Sequence, residues 1–166
     1  TWLSRKGRRD KGVLKLDFEN AYNMIDRKEI GERVKELFPE LLPWFQFCYG
    51  TPAALFCQGK RLPFDSSDGL QQGDPLAALF FALGILKMGK RLKTELKESA
   101  SLWYLDDGSI VGPGNELVEA WRIIKEEAEQ IGMRLNESKC EVWAWEGTNE
   151  EWTNSFPRKV KRLKEN

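Results

Sequence analysis

The sequence contains no histidine, and this absence excludes several kinds of site at once. Without histidine the chain has neither the commonest general base nor a Ser-His or Cys-His catalytic pair. Its cysteines, Cys48, Cys57 and Cys140, are odd in number and form no Cys-x-x-Cys motif, which argues against a disulfide framework and a zinc site. Any chemistry must therefore rest on carboxylates, lysine, tyrosine or a bound metal ion.

A net charge is also absent. The 26 Lys and Arg residues balance the 26 Asp and Glu residues, so the formal net charge is zero. Proteins that hold a phosphate backbone unaided are usually basic. Residues 5–11 and 158–164 are locally basic, and they are interpreted either as solubilising tails or as phosphate contacts.

Long apolar runs are missing too. The longest stretch, around Leu76–Leu86, is too short to cross a bilayer, and the charged N-terminal segment is not a signal peptide. With reduced thiols, these absences predict an intracellular protein (cytoplasm or nucleus) with no membrane partner. The 166 residues suit one domain with a real core. Because the chain opens on Thr rather than Met, we expect a fragment.

Hydrophobic periodicity and turn residues predict the order β, α, α, β-hairpin, long α, β-hairpin, α, β. This order favours an α+β fold with helices on one face of a small antiparallel sheet. After Gly147 the composition turns polar, which predicts that the chain leaves the domain. The predicted segments are a strand at 13–18, a helix at 27–38 with Asp26 and Glu29 as a capping box, a helix at 41–49, a hairpin at 53–58 and 62–64 with Gly59-Lys60 as its turn, a helix from Asp74-Pro75 to 97, a hairpin at 102–111, a helix at 116–131 ended by Gly132, and short strands at 134–135 and 141–145.

Carboxylates stand at two predicted strand ends, Asp17 after the first strand and Asp106-Asp107 inside the later hairpin. If the two strands are neighbours, these acids meet at one edge of the sheet. At about 4 Å each pair would repel by roughly 4 kcal/mol at an effective dielectric near 20. A divalent cation relieves that repulsion, oxygen ligands select Mg²⁺ or Mn²⁺, and two such ions are the standard clamp for phosphoryl transfer.

The adjacent acids cannot both face one point, because side chains alternate along a strand. We therefore expect Asp106 to be the direct metal ligand and Asp107 a weaker or water-mediated one. The competing interpretation is that both simply fill a turn, as Asp often does.

Four segments in a fixed order carry a family resemblance. KLDFENAYNMID (15–26), GLQQGDPLAALFFAL (69–83), YLDD (104–107) and IGMRLNESKCEVW (131–143) together resemble motifs A to D of the reverse transcriptase palm, most like non-LTR retrotransposon and group II intron-like enzymes. The resemblance implies a polymerase palm with a ferredoxin/RRM-like core over 13–147. Residues 1–12 would then be a basic remnant of the fingers–palm connection, and 148–166 a polar and basic tail.

The resemblance also implies metal and sugar contacts. Asp17 matches the motif A metal ligand, the carbonyl of Phe18 would complete the shell, and Asp106 and Asp107 match the motif C acids. Two Mg²⁺ ions, replaceable by Mn²⁺, are the implied cofactors. Tyr22 matches the aromatic steric gate that prefers deoxynucleotides, although a core aromatic is the alternative.

The remaining matched positions concern the nucleotide and the leaving group. Gln72 and Gly73 match the turn that cups nucleotide and template, with a polar turn as the alternative for Gln72. Tyr104 would lie near the primer end. Lys139 matches a candidate general acid for pyrophosphate, whereas an exposed turn lysine is the default. Two departures from the family pattern are Ala77-Ala78 after QGDPL and the bulky Leu105 before the acids.

The function implied is an RNA-directed DNA polymerase that adds dNTPs to a primer 3′-hydroxyl, with an RNA template and a DNA primer as partners. Because segments for fingers and thumb are absent from the sequence, we expect metal binding with weak or absent processive synthesis and completion by other regions of a larger polypeptide; whether the chain self-associates is left open. Alternatives are a catalytically silent palm serving as a scaffold or binding module, and an RNA-templated RNA polymerase, against which Tyr22 argues.

Overall fold

The computed structural model describes residues 10–145 and 150–163, in which two sheets and five α-helices are found. The strands are β1 (Lys11–Leu16), β2 (Ala53–Cys57), β3 (Lys60–Ser66), β4 (Ala100–Tyr104), β5 (Asp107–Pro113), β6 (Glu141–Ala144) and β7 (Lys161–Leu163). The helices are α1 (Ala21–Met24), α2 (Arg27–Leu37), α3 (Leu42–Tyr49), α4 (Ala77–Glu95) and α5 (Gly114–Gln130).

The main sheet has the order β4-β5-β1-β6-β7, so the first strand of the chain lies at its centre. β1 pairs antiparallel with β5 on one side and with β6 on the other, while β7 joins β6 in parallel. β2 and β3 form a separate hairpin. The predicted α+β class, with a small and largely antiparallel sheet, is confirmed.

One face of the main sheet is the core. Along β1 the residues alternate in burial, with Leu14 and Leu16 fully buried, as expected for a strand with one covered face. The first half of α4 is nearly all apolar and supplies Phe80 and Phe81, which are also fully buried. α5 covers the same cluster through residues such as Leu117. The helices therefore pack on one face, as predicted.

Four local predictions need correction. The Asp26 side chain caps α2 by accepting the Lys28 N–H at 2.6 Å, but no capping box forms, because the Asp26 N–H donates to the Ile131 carbonyl and Glu29 pairs with Arg33. The β2–β3 turn is Gln58-Gly59, one residue earlier than predicted, and both residues have positive φ, as a type I′ turn demands.

The third correction concerns α4, which begins at Ala77 rather than at Asp74-Pro75. Asp74 still acts as a cap, since its Oδ1 accepts the Leu76 N–H at 2.9 Å. The regular helix starts later because residues 72–76 form turns. The predicted strand at 134–135 is reduced to one bridge between Leu135 and Phe18.

The C-terminal segment does not leave the domain, contrary to the prediction. Residues 150–163 return to the sheet, where β7 pairs with β6. Phe156 and Val160 are buried in the main core, and Phe156 contacts the ring of Trp121 edge-on at a centroid distance of 5.6 Å. A few isolated apolar side chains anchor this otherwise polar segment to the core. The average composition of the segment does not reveal them. Residues 146–149 and 164–166 of this predicted tail lie outside the described residues.

The predicted basic N-terminal segment, 1–12, is described only from Asp10 onward, where Lys11 and Gly12 belong to β1. Residues 1–9 of that prediction lie outside the described residues. Within the described ranges, none of the helices combines the length and apolar character needed to span a membrane.

Candidate active site

The candidate site lies at the edge where β1 ends beside the β4–β5 turn. In the antiparallel register Leu16 lies opposite Gly108, and Tyr104 lies opposite Asp107. Asp17, the next residue after β1, is therefore brought to the edge that carries Asp106. The expectation that these strands are neighbours is confirmed. Their pairing brings acids almost ninety positions apart in the sequence to one edge of the sheet.

The β4–β5 turn sets the two motif C acids apart. Leu105 and Asp106 are its two central residues, and Leu105 has a φ of 56°. Asp106 is half-buried whereas Asp107 is exposed and belongs to the ladder. The turn therefore gives the two acids different surroundings.

Asp17 is held at its backbone by the turn that precedes β6. Its carbonyl accepts the Asn136 N–H at 2.9 Å, and its own N–H donates to Cys140 Sγ at 3.4 Å. The thiol of Cys140 in turn lies 3.6 Å from the same carbonyl as a donor. Burial raises the pKa of Cys140, so the thiol stays protonated and can donate. The sequence indicated Cys140 only as a reduced thiol, not as a support for Asp17.

The carboxylate of Asp17 has an unusual environment. Its Oδ2 atom is buried and has no hydrogen-bond partner among the described residues. The Nζ of Lys139 lies 3.9 Å away, too far for a hydrogen bond, and the lysine side chain is 66% exposed. A buried carboxylate oxygen without a donor is costly, and it is suited to a cation. Lys139 thus lies near Asp17.

Aromatic packing supports this edge from the core side. Phe18 is buried and stacks on Trp103 with ring centroids 6.4 Å apart. A Cβ added to Gly108, which faces Trp103 across the ladder, would lie 2.6 Å from that ring. Glycine is therefore required at position 108 for Trp103 to reach Phe18.

Tyr22 packs against the core at its border, within electrostatic reach of Asp106. Its half-buried ring stacks almost parallel on Phe81, at a centroid distance of 4.7 Å and an interplanar angle of 8°. Burial raises the pKa of Tyr22, and the nearby Asp106 and Tyr104 raise it further. Tyr104 is 78% exposed. The negative charge of Asp106 thus affects the pKa of Tyr22, which the resemblance identifies as the steric gate.

Residues 66–76, here called the Gln72 loop, form the second wall of the candidate site, across a cavity from Tyr22. Gln72 and Gly73 are exposed, and Gly73 has a φ of 94°, a conformation that favours glycine. Together with Tyr22 they line a cavity of about 340 Å³. The loop is supported by Arg27 and Tyr49, two residues that sequence reasoning missed because neither stands within a recognised motif.

The donor chemistry of this edge fits a hard divalent cation in part. Asp17 and Asp106 offer carboxylate oxygens, and Oδ2 of Asp17 has no hydrogen-bond donor among the described residues. Within residues 10–145 and 150–163, however, no three His, Cys, Asp or Glu side chains form a group that could hold a metal ion. Among the described residues, Asp17, Asp106 and Asp107 therefore lie at one edge without forming such a group.

Comparison with known proteins identifies one family, and one relative whose alignment covers nearly all of this chain. The model of the family described as reverse transcriptase (RNA-dependent DNA polymerase) matches residues 3–160. The retrotransposable element SLACS 132 kDa protein of Trypanosoma brucei gambiense is 32% identical over 167 aligned residues, which is 97% of this chain. The chain spans only 14% of that relative's length.

Solved structures support the fold. Telomerase from Candida albicans, in complex with a TWJ fragment of telomeric RNA, superposes with a TM-score of 0.70 and 16% identity, over 89% of this chain and 30% of that one. Apo telomerase from Candida tropicalis gives a TM-score of 0.67 at 13% identity, over 87% of this chain and 30% of that one. At such identities the likeness shows the fold alone.

Proposed function

The chain belongs to the reverse transcriptase (RNA-dependent DNA polymerase) family, and we propose that it is a palm that adds dNTPs to a primer 3′-hydroxyl on an RNA template. The observation that carries the proposal is the shared edge of Asp17 and Asp106, with the cavity of Tyr22, Gln72 and Gly73 beside it. The acids suit the divalent cations that nucleotidyl transfer requires, and the cavity suits the nucleotide.

In this proposal each side chain has a distinct task. Asp17 and Asp106, with the Phe18 carbonyl and a weaker contribution from Asp107, would hold two Mg²⁺ ions, for which Mn²⁺ can substitute. When bound, such ions activate the primer hydroxyl and neutralise charge on the phosphates. The backbone of the partly buried Asp17 is held by Asn136 and Cys140, and this support would fix the orientation of its carboxylate.

The Gln72 loop and the residues around the cavity would supply the contacts to the nucleotide and the primer. Gln72 and Gly73 would cup the base pair, Tyr22 would lie under the sugar, and exposed Tyr104 would contact the primer end. Lys139 would donate its Nζ proton to the departing pyrophosphate, in keeping with its position 3.9 Å from Asp17 Oδ2.

The proposed domain is 13–147 extended by the packed segment 150–163, within a longer polypeptide. Fingers and thumb regions of that polypeptide, or a second copy of the chain, would complete the surface that binds the RNA template and the DNA primer. An intracellular location is also proposed, supported by the free thiols of Cys48, Cys57 and Cys140.

Single-nucleotide addition to a DNA primer on an RNA template tests the proposal. We expect the wild-type chain to extend the primer by one residue in Mg²⁺ or Mn²⁺, and the Asp106→Asn variant to lose this activity. Equal extension by the two chains would contradict the proposal and favour a palm that acts as a scaffold or binding module.

Tyr22→Ala is expected to weaken the discrimination between dNTPs and rNTPs by roughly 10- to 100-fold. The ring occupies the side of the cavity where a 2′-hydroxyl would lie in the proposed pose, and alanine would leave room for it. The ratio of kcat/KM values for dATP and ATP measures the effect. Tyr22→Phe, which keeps the ring, is the matched control, and unchanged discrimination in Tyr22→Ala would remove the gate assignment.

Lys139→Ala is expected to lower kcat by roughly 10²-fold with little change in KM for the dNTP, because a general acid acts in the transition state. Lys139→Arg keeps the positive charge, but its guanidinium does not give up a proton. A burst-phase measurement of the two variants separates the two roles. If Lys139→Arg retained full activity, Lys139 would be a charge partner of Asp17 and not a general acid.

A further inference from the structure

Arg27 is a charged side chain buried at the start of α2, with only 8% of its surface exposed. Its guanidinium makes three hydrogen bonds to the Gln72 loop. Nε donates to the Gly69 carbonyl at 2.7 Å, Nη1 to the Ser66 carbonyl at 2.9 Å and Nη2 to the Ser66 hydroxyl at 3.0 Å. The planar fork of Arg27 therefore fixes the first part of the loop at two residues.

Tyr49, the last residue of α3, fixes the second part. Its hydroxyl donates to Asp74 Oδ2 and accepts the Gln71 N–H at 3.3 Å. Burial and the bond to Asp74 raise the pKa of Tyr49, so the hydroxyl remains a donor. The guanidinium of Arg27 lies over the Tyr49 ring, 5.3 Å from its centroid, so the two residues form one unit.

The loop held by this unit is also bonded to the segment that carries the steric gate. The Leu70 N–H donates to the Tyr22 carbonyl at 2.6 Å, and the Gly69 N–H donates to the Ile25 carbonyl at 3.0 Å. A Cβ on Gly69 would lie 2.4 Å from the backbone of Asn23, which shows how closely the two segments approach. Any shift of the loop would thus change the spacing between Tyr22 and Gln72.

The burial of Arg27 is difficult to explain by stability alone. Burial lowers the pKa of Arg27, which reflects the cost of removing a cation from water. Apolar residues of similar volume often match or exceed buried ionic groups in stabilising a fold. The guanidinium instead fixes the position of the loop, because three of its N–H groups donate to specific acceptor atoms there.

We propose that Arg27 and Tyr49 are positioning residues that hold the Gln72 loop at a fixed distance from Tyr22 and thereby set the affinity and sugar selectivity for the incoming nucleotide. This proposal rests on the proposed function, in which the cavity between Tyr22 and Gln72 receives a dNTP. Neither residue lines that cavity, so both act through the loop.

The test uses the 166-residue chain with two variants, Arg27→Met and Tyr49→Phe. Arg33→Met is the matched control, because Arg33 lies on the same helix but pairs with Glu29 and Glu36 at the surface. Hydrogen exchange of the peptide 66–76 reports the loop, and equilibrium binding of dATP and ATP without primer reports the cavity.

In both variants we expect roughly tenfold faster exchange of the loop and roughly tenfold weaker dATP binding, the size of one lost hydrogen bond. We also expect a smaller preference for dATP over ATP. The control should match the wild type in all three measurements.

Three results would overturn the proposal: unchanged exchange of the loop, faster exchange with unchanged nucleotide affinity and selectivity, or no dATP binding by the wild-type chain. The second of these would identify a merely structural role. A failure of the proposed function has a different signature, in which dATP binding still depends on Arg27 and Tyr49 but no primer is extended.

Discussion

Replacing Asp17 by asparagine is expected to lower the rate of nucleotide addition by about 10³-fold, a loss typical of removing one group that stabilises transition-state charge. The amide has the shape of the carboxylate but lacks the charge that would hold a divalent cation. We expect the free energy of unfolding to stay the same or rise, because Oδ2 is buried without a hydrogen-bond donor among the described residues. Single-turnover primer extension and a urea melt measure the two quantities.

Glu19→Gln provides the matched control for this prediction. Glu19 is an exposed acid two residues further along, and its backbone N–H bonds to the Arg134 carbonyl whatever its side chain. It should retain the wild-type rate. A rate in Asp17→Asn within a few-fold of the wild type would contradict a metal-binding role for Asp17.

Replacing Phe81 by alanine is expected to lower the free energy of unfolding by about 3–5 kcal/mol, the usual cost of removing a buried phenylalanine. Phe81 is fully buried and its ring supports Tyr22 at a centroid distance of 4.7 Å. The cavity created would let the tyrosine ring sink toward the core. We therefore expect a loss of selectivity for dNTPs over rNTPs in addition to the loss of stability.

Leu92→Ala separates these two effects. Leu92 is 1% exposed on the same helix and has no ring contact with Tyr22. Its loss should cost about 2–5 kcal/mol while leaving sugar selectivity intact. Phe81→Leu, which keeps most of the buried volume, guards against complete unfolding. Equal selectivity in Phe81→Ala, Phe81→Leu and the wild type would show that Phe81 does not support the gate.

The sequence predicted the main elements because their periodicity is strong. β1 alternates in burial and α5 carries a continuous apolar stripe, so both were found within about three residues. The start of α4 was misplaced because Asp74 caps a turn instead of the helix itself. The C-terminal segment was assigned to a tail because only a few apolar residues, Phe156 and Val160 among them, anchor it to the core.

For the site, the sequence predicted which edge would carry the acids but not how they are supported. Neighbouring strands brought Asp17 to Asp106, as expected from the order of elements. The support comes from Cys140 on the Asp17 backbone and from Arg27 and Tyr49 on the Gln72 loop. Such contacts join residues far apart in sequence, and neither periodicity nor a local motif indicates them. The metal assignments for Asp17, Phe18, Asp106 and Asp107 remain predictions.

Titration of the chain with Mn²⁺, followed by electron paramagnetic resonance or calorimetry, tests the central claim most directly. The claim is that the edge formed by Asp17 and Asp106 holds divalent cations for nucleotidyl transfer. We predict saturable binding at or below millimolar Mn²⁺, competition by Mg²⁺, and loss of this binding in the variant Asp17→Asn with Asp106→Asn. Absence of Mn²⁺ binding at millimolar concentration, or equal binding by the double variant, would contradict the claim.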